Sequence, residues 1–106
     1  MPMRLLALFL ALAGGALPAL AATAPERLDA LLEAYWEDTL QRNPVLATSI
    51  GDLRYNDRFP NSIGPDYIAE AKAAQQRWAQ QLAAIDREQL GGQQRLSSDI
   101  LGRDLA

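Results

Sequence analysis

The 106-residue chain contains neither cysteine nor histidine. Disulfide bridges, zinc–thiolate sites, histidine bases and Ser-His-Asp or Cys-His catalytic pairs are therefore excluded within it. Ten basic residues against thirteen acidic ones give a net charge of -3, and the basic residues are scattered along the chain, which argues against nucleic-acid binding.

The first 21 residues have the three parts of a signal peptide. Arg4 supplies the positive charge, residues 5–13 the apolar segment, and residues 19–21 (Ala-Leu-Ala) a cleavage site. Residues 22–24 (Ala-Thr-Ala) offer a second possible site. An uncleaved anchor is the alternative, which we consider weaker because glycine, proline and alanine dilute the apolar segment. We expect a periplasmic or secreted mature chain that keeps no stable membrane anchor.

An amphipathic helix is predicted over residues 25–42. Thr23 and Glu26 have the spacing of a capping box, which favours a helix start at this point. Apolar residues then recur on one side of the helix, and acidic residues lie on the other. The apolar side consists of Leu28, Leu31, Leu32, Tyr35, Trp36 and Leu40.

A short helix over residues 44–50 and a long loop are predicted next. Asn43 is the expected N-cap of the short helix, and Gly51 is the expected residue after its C-cap. Residues 52–63 lack helical periodicity and are rich in Asp, Asn, Arg and Pro, which is typical of a surface loop. The predicted anchors of this loop are Leu53, Tyr55, Phe59 and Ile63.

Charged residues in the loop have two readings. Arg54 and Arg58 could bind an anion, but pairing with Asp52 and Asp57 is the simpler expectation. Asp52, Asn56 and Asp57 supply oxygen atoms that suit calcium, yet they lack the ligand spacing and closing glutamate of an EF-hand. We therefore expect a structural role for these side chains.

Two further polar groups have a spacing that would suit ligand binding or catalysis. Glu33 and Glu37 lie one helical turn apart, but they face away from the apolar side and are predicted to be a solvated acidic face. Residues 97–99 (Ser-Ser-Asp) have no histidine that could activate a hydroxyl group. The sequence thus predicts no catalytic, cofactor-binding or metal-ligating residue in this chain.

A long amphipathic helix is predicted over residues 65–89. Gly64 and Pro65 mark its start, because proline's fixed φ and missing N–H suit a first helical turn, and Gly91-Gly92 marks its end. A helix of this length cannot bury its apolar side alone, so its neighbours must pack on it. The predicted core consists of Leu32, Tyr35, Trp36, Ile50, Ile68, Trp78, Leu82 and Ile85.

The last helix, predicted over residues 93–105, is apolar on two sides. Leu96 and Ile100 lie on one side, and Leu101 and Leu105 lie on nearly the opposite side. A helix with two apolar faces is normally packed between two layers. We therefore expect an all-α fold of about four helices over residues 22–106, belonging to a larger helical protein whose next helices cover Leu101 and Leu105. A complete small protein with a frayed end is the alternative.

Residues 43–60 carry the most specific motif, N-P-x-x-A-T-x-x-G-D-x-R-Y-N-D-R-F-P. Together with Tyr35-Trp36, residues 82–90 (L-x-x-I-D-x-x-x-L) and residues 99–101 (D-I-L), this motif resembles the N-terminal region of the bacterial domain of unknown function 885 family. The resemblance implies a longer, helical and often exported protein with an HExxH helix in its C-terminal half. Such a helix binds zinc through two histidines and uses its glutamate as a general base. None of those residues can be placed on this chain, because it has no histidine.

Three functions fit the sequence to different degrees. The resemblance implies a scaffold or cleft wall of a zinc metallopeptidase-like protein, with the C-terminal portion of the same protein as partner and zinc as the cofactor of full-length relatives. The alternative is a self-sufficient periplasmic helical binding or interaction module that uses the 52–63 loop and an exposed apolar flank. An enzyme that works through carboxylates alone is least favoured, because no acid pair is predicted in an apolar pocket.

Overall fold

Four α-helices are present in the computed structural model, which describes residues 20–106. They are α1 (Ala24–Arg42), α2 (Pro44–Ser49), α3 (Pro65–Ala83) and α4 (Gly92–Asp104), with short 3-10 helices at Leu53–Tyr55 and Arg87–Gln89. No strand occurs in residues 20–106, so the predicted all-α fold is confirmed for them. All but the last two residues of the predicted signal peptide lie outside this range.

Helix α1 is the element on which the others assemble, since α2, α3, α4 and the second 3-10 helix all contact it. It begins at the predicted capping box. The Thr23 backbone N–H donates to the Glu26 carboxylate over 2.8 Å, and the Glu26 backbone N–H donates to Thr23 Oγ1 over 3.4 Å. These bonds pair two of the backbone groups that a helix start leaves free.

Helix α2 begins at Pro44 after the N-cap residue Asn43 and ends just before Gly51, as predicted. Gly51 has φ 90°, a conformation that favours glycine, and its N–H donates to Thr48 O over 3.0 Å while Asp52 N–H donates to Ala47 O over 2.8 Å. These two bonds form a Schellman motif. Asn43 does not cap α2 with its side chain. Its Nδ2 donates backward to the Thr39 carbonyl over 2.9 Å and so caps the end of α1.

Helix α3 is shorter than the predicted 65–89, because it ends at Ala83. The Asp86 carboxylate accepts a hydrogen bond from the Glu88 N–H over 3.0 Å and caps the separate 3-10 helix. Aspartate often competes with a helix in this way by bonding to nearby backbone. Gly91 and Gly92, predicted to end α3, instead begin α4 as its N-cap and first residue.

The apolar core consists of two adjoining leucine clusters and a smaller third one. Leu32, Leu82 and Ile85 pack against both of the first two, so these form a continuous layer between α1, α3 and α4. The buried members are Ala24, Leu28 and Leu90 in the first cluster, Leu31, Leu101 and Leu105 in the second, and Leu40, Ala47 and Tyr55 in the third.

Three of the predicted core residues are on the surface. Trp36, Ile50 and Ile68 keep 47%, 53% and 55% of their surface exposed. The other five, Leu32, Tyr35, Trp78, Leu82 and Ile85, are half-buried. Helical periodicity locates an apolar side but not its midpoint, and α1 turns Leu28 and Leu31 inward while Trp36 lies at the edge of the contact.

None of the helices in residues 20–106 has the length and apolar character needed to cross a membrane.

Candidate functional site

A polar cluster joins the motif at residues 52–55 to α1. The Schellman motif after α2 turns the chain so that Asp52 caps the 3-10 helix, with Asp52 Oδ1 accepting from the Arg54 N–H over 3.1 Å. This turn directs Arg54 and Tyr55 towards Glu37 on α1. We call Glu37, Asp52, Arg54 and Tyr55 the polar clamp.

Arg54 is the centre of the polar clamp. Its guanidinium group donates to both oxygens of Glu37, over 3.0 and 2.9 Å, and to both oxygens of Asp52, the shortest contact being 2.7 Å. Paired hydrogen bonds of this kind are strong and fix the relative orientation of the planar groups. The guanidinium group therefore ties the loop to α1 as well as to its own turn.

Tyr55 is the buried member of the clamp and packs with Leu40 and Ala47. Its hydroxyl group donates a hydrogen bond to Glu37 Oε1. The guanidinium carbons of Arg54 and Arg58 lie 5.1 and 5.2 Å from the centre of its ring, within the range of cation–π attraction.

The hydrogen bonds shift the titration of these groups. Donation from Arg54, followed by donation from Tyr55, lowers the pKa of Glu37, and donation from Arg54 lowers the pKa of Asp52. The bond to Glu37 raises the pKa of Tyr55. At neutral pH the two carboxylates are thus charged and the phenol is neutral, which is the state that preserves every bond of the clamp.

The clamp binds its own side chains together and offers no free base. The predicted solvated face is therefore wrong for Glu37, which is bound by Arg54 and Tyr55, whereas Glu33 is exposed. The predicted pairing of Arg54 with Asp52 is confirmed. Arg58 was expected to pair with a carboxylate, but within residues 20–106 it forms no ion pair and lies on the Tyr55 ring instead.

Two of the three side chains that supply oxygen atoms suited to calcium, those of Asp52 and Asn56, are engaged elsewhere. Asp52 is bound by Arg54, and Asn56 Oδ1 accepts a hydrogen bond from Thr48 Oγ1 over 2.6 Å. No group of three or more acidic side chains that could hold a metal ion occurs in residues 20–106.

Polar contacts outside the clamp also link elements that are distant in sequence. Trp78 Nε1 donates to Asp38 Oδ2 over 2.9 Å, and Arg42 Nε donates to the same oxygen over 3.0 Å. Arg87 holds both oxygens of Asp99 over 2.8 Å each, which joins the second 3-10 helix to α4. Residues 97–99 lie within α4, and Asp99 is the member of this segment that Arg87 binds.

The outer side of α4 is an exposed apolar surface. Leu96 and Ile100 are 53% and 55% exposed, whereas Leu101 and Leu105 are buried against α1. The expectation that Leu101 and Leu105 lack a partner within this segment is therefore wrong. The side of α4 that is left uncovered is the one that carries Leu96 and Ile100. A groove of about 250 Å³ runs between this surface and α1 and is lined by Leu32, Tyr35, Ser97, Ile100, Leu101 and Asp104.

The 52–63 loop forms a second exposed apolar region. Of its four predicted anchors only Tyr55 is buried, while Leu53, Phe59 and Ile63 are 64%, 89% and 86% exposed. Phe59 and Val45 of α2 line a groove of about 340 Å³. The hydrogen bond from Tyr55 to Glu37 holds the start of the loop on α1, while the side chains of Leu53, Phe59 and Ile63 stay exposed.

No family model, no curated protein and no solved structure matches this chain. The resemblance to the domain of unknown function 885 family therefore stays a prediction from the motifs.

Proposed function

We propose that residues 22–106 are an exported helical segment that serves as scaffold for a larger protein and supplies none of its catalytic groups. One observation carries this proposal. Helix α4 buries Leu101 and Leu105 on one side, yet keeps Leu96 and Ile100 half exposed on the other. Neighbouring apolar side chains on a helix surface are typically covered by another element.

The polar residues support a scaffold rather than a reaction centre. Glu37 and Asp52 are bound by Arg54, and Asp99 is bound by Arg87. A general base needs a free lone pair at the reacting proton. The hydrogen-bonding capacity of these three carboxylates is used to join α1 to the 52–63 loop and the second 3-10 helix to α4.

The partner that we propose is the C-terminal portion of the same protein, similar to the domain of unknown function 885 family. In this proposal the C-terminal portion holds zinc through an HExxH helix, and the present segment forms a wall of the cleft. The outer side of α4 and the groove along α1 are the surface on which the two portions pack.

Export to the periplasm or beyond is part of the proposal. Its support is the sequence of the first 21 residues and the position at which α1 begins, three residues after Ala21. Residues 20–22 are exposed and lie outside the helix.

The reading frame downstream of Ala106 tests the proposal at the level of the gene. We expect it to continue into an HExxH helix. A stop codon at this point, with a monomeric product that unfolds cooperatively above roughly 55 °C, would contradict the scaffold role.

A second experiment tests the packing. The C-terminal half, added in trans, should raise the unfolding temperature of residues 22–106, since a partner that binds only the folded form stabilises it. Zinc-dependent peptidase activity is expected only when that half is present. Activity of residues 22–106 alone would overturn the assignment of the chemistry to the partner.

An independent interaction module is the second candidate, and the 52–63 loop favours it. Phe59 and Ile63 are almost fully exposed, and the polar clamp fixes the loop that carries them. Phe59→Ser should abolish partner binding in the module but leave the trans stabilisation of the scaffold unchanged. Gln76→Ser, an exposed change on α3, is the control.

A further inference from the structure

The groove between α2 and the 52–63 loop has apolar walls and one cation. Its volume is about 340 Å³, and Pro44, Val45 and Phe59 supply apolar surface to it. Val45 and Phe59 keep 66% and 89% of their surface exposed. Among the described residues that line this groove, Arg58 is the one charged residue, and no acidic side chain lines it. Such a groove is complementary to an apolar ligand that carries a negative charge.

Arg58 is held in place without being neutralised. Its guanidinium carbon lies 5.2 Å from the centre of the Tyr55 ring. Tyr55 is only 7% exposed, and its hydroxyl group donates to Glu37, so the ring is a fixed support for the cation. Within residues 20–106 the guanidinium group of Arg58 forms no ion pair. Its N–H groups can therefore bind an anion that comes from outside this segment.

Arg54 shows the contrast at the same ring. Its guanidinium carbon lies 5.1 Å from the centre of the Tyr55 ring, but Arg54 also binds the carboxylates of Glu37 and Asp52, over 2.9 and 2.7 Å. Asp57 is the residue before Arg58, yet it forms no ion pair with Arg58 and does not line the groove. The carboxylate partners that Arg54 has are thus absent at Arg58 within residues 20–106.

A carboxylate fits this groove better than a phosphate group does. A guanidinium group can bind either anion through two parallel hydrogen bonds. One cation balances the single charge of a carboxylate, whereas a phosphate group carries about −1.5 to −2 charges at neutral pH. The excess charge would then lie against apolar walls, which is unfavourable. The last residue of a peptide carries its carboxylate and its side chain on the same carbon atom, so a single residue can reach both the cation and the wall.

We propose that this groove binds the C-terminal residue of a peptide, with its carboxylate on Arg58 and an apolar side chain against Val45 and Phe59. The inference goes beyond the scaffold role, which uses the outer side of α4, and gives the 52–63 loop a ligand of its own. Because the two roles use different surfaces, failure of the peptide to bind leaves the scaffold role standing.

The test is a saturation-transfer NMR titration of the full chain, in the form that its own gene produces, with the peptide acetyl-Gly-Leu. We expect saturable binding of the peptide with a free carboxylate. The dissociation constant should be at least about fivefold higher for the same peptide with a C-terminal amide, which has lost the charge. Equal dissociation constants, or no saturable binding up to about 10 mM peptide, would overturn the proposal. This comparison uses the unchanged chain and so does not depend on the folding of any variant.

Variants of the full chain assign the preference to Arg58. In Arg58→Gln the free acid and the amide should bind equally, because the cation that distinguishes them is gone. Arg77→Gln, at an exposed position of α3, is the control and should keep the preference of the unchanged chain. A preference for the free acid that survives Arg58→Gln would overturn the proposal. Arg58-dependent binding of laurate in place of the peptide would also overturn it, because the ligand would then be a fatty acid.

Discussion

The two ends of α1 are joined to the rest of the chain by different kinds of contact. Its N-terminal half buries Leu28 and Leu31 against residues from α3, α4 and the segment between them. Its C-terminal half is tied to the loop by Glu37, which accepts hydrogen bonds from Arg54 and Tyr55. The N-terminal half is held mainly by apolar packing, whereas the C-terminal half adds directional polar bonds to the packing of Leu40 against Ala47 and Tyr55.

The two kinds of contact contribute to different properties, namely the stability of the helices and the position of the 52–63 loop. Apolar burial is non-directional and contributes most of the folding free energy. Exposed ion pairs contribute little and are screened by salt, but paired hydrogen bonds from a guanidinium group fix geometry. The leucine clusters therefore stabilise the helices, and the polar clamp sets where the 52–63 loop lies.

The largest effect is expected in the leucine clusters. Leu28 is fully buried, and Leu28→Ala should lower the free energy of unfolding by about 3 kcal/mol, because it removes buried methyl groups and leaves a cavity. Urea unfolding measures this loss. Leu96→Ala, on the exposed side of α4, is the matched control and should change stability by less than about 0.5 kcal/mol. Equal losses would contradict the assignment of the core.

Replacing glycine by alanine should change stability in opposite directions in the turn after α2 and inside α4. Gly51 has φ 90°, so Gly51→Ala should destabilise the chain by about 1–2 kcal/mol. Gly102 lies inside α4, and an added Cβ there would meet Leu82 Cδ2 at an ordinary 3.6 Å. Gly102→Ala should therefore stabilise the chain by about 0.5–1 kcal/mol. The same sign for both variants would show that the turn after α2 is described wrongly.

Acid should weaken the polar clamp. The pKa values of Glu37 and Asp52 are lowered from their ordinary 4.5 and 3.8, mainly by hydrogen bonds from Arg54. The folded state therefore binds fewer protons than the unfolded state. The stabilisation is complete above the ordinary values and is lost as pH falls through the lowered ones.

We expect the urea midpoint to fall between pH 5 and pH 3, and Glu37→Gln to reduce that fall. Glu33→Gln, at an exposed position on the same helix, should leave the pH dependence unchanged. Identical pH profiles for both variants would exclude Glu37 from the acid-sensitive group. The hydrogen bond from Arg87 also lowers the pKa of Asp99, so the urea midpoint of the Glu37→Gln variant should still fall in acid, but by a smaller amount.

The smallest change in global stability is expected at Arg54. Arg54→Gln removes the bonds to Glu37 and Asp52, so backbone amides of residues 53–58 should exchange hydrogen faster while those of α1 keep their rates. Arg77→Gln is the matched control, because Arg77 is exposed on α3 and has no ion pair within residues 20–106. Exchange that rises uniformly over the chain would mean that the clamp supports the whole fold.

The helices could be predicted because their signals are local. The Thr23–Glu26 capping box and the glycine after α2 each act over a few residues, and the structure has both. The end of α3 was predicted wrongly because the Asp86 cap competes with a continuing helical pattern.

The polar clamp could not be predicted in full. Pairing of Arg54 with Asp52, two residues away, is visible in the sequence, but pairing with Glu37 joins residues 17 positions apart. The same limit applies to the contact between Trp78 and Asp38. Which side of α4 is buried depends likewise on how α4 meets α1, and periodicity alone does not fix this.

The most direct test of the scaffold proposal measures access to the outer side of α4. The sequence has no cysteine, so Ile100→Cys introduces one reactive thiol into this segment. The protein is labelled with a thiol reagent in the form that its own gene produces, and the modified peptides are quantified by mass spectrometry. The reagent should label Ile100→Cys at least about tenfold more slowly than Gln76→Cys, which lies on the exposed side of α3. Equal labelling rates would show that nothing covers this side of α4 and would contradict the scaffold role.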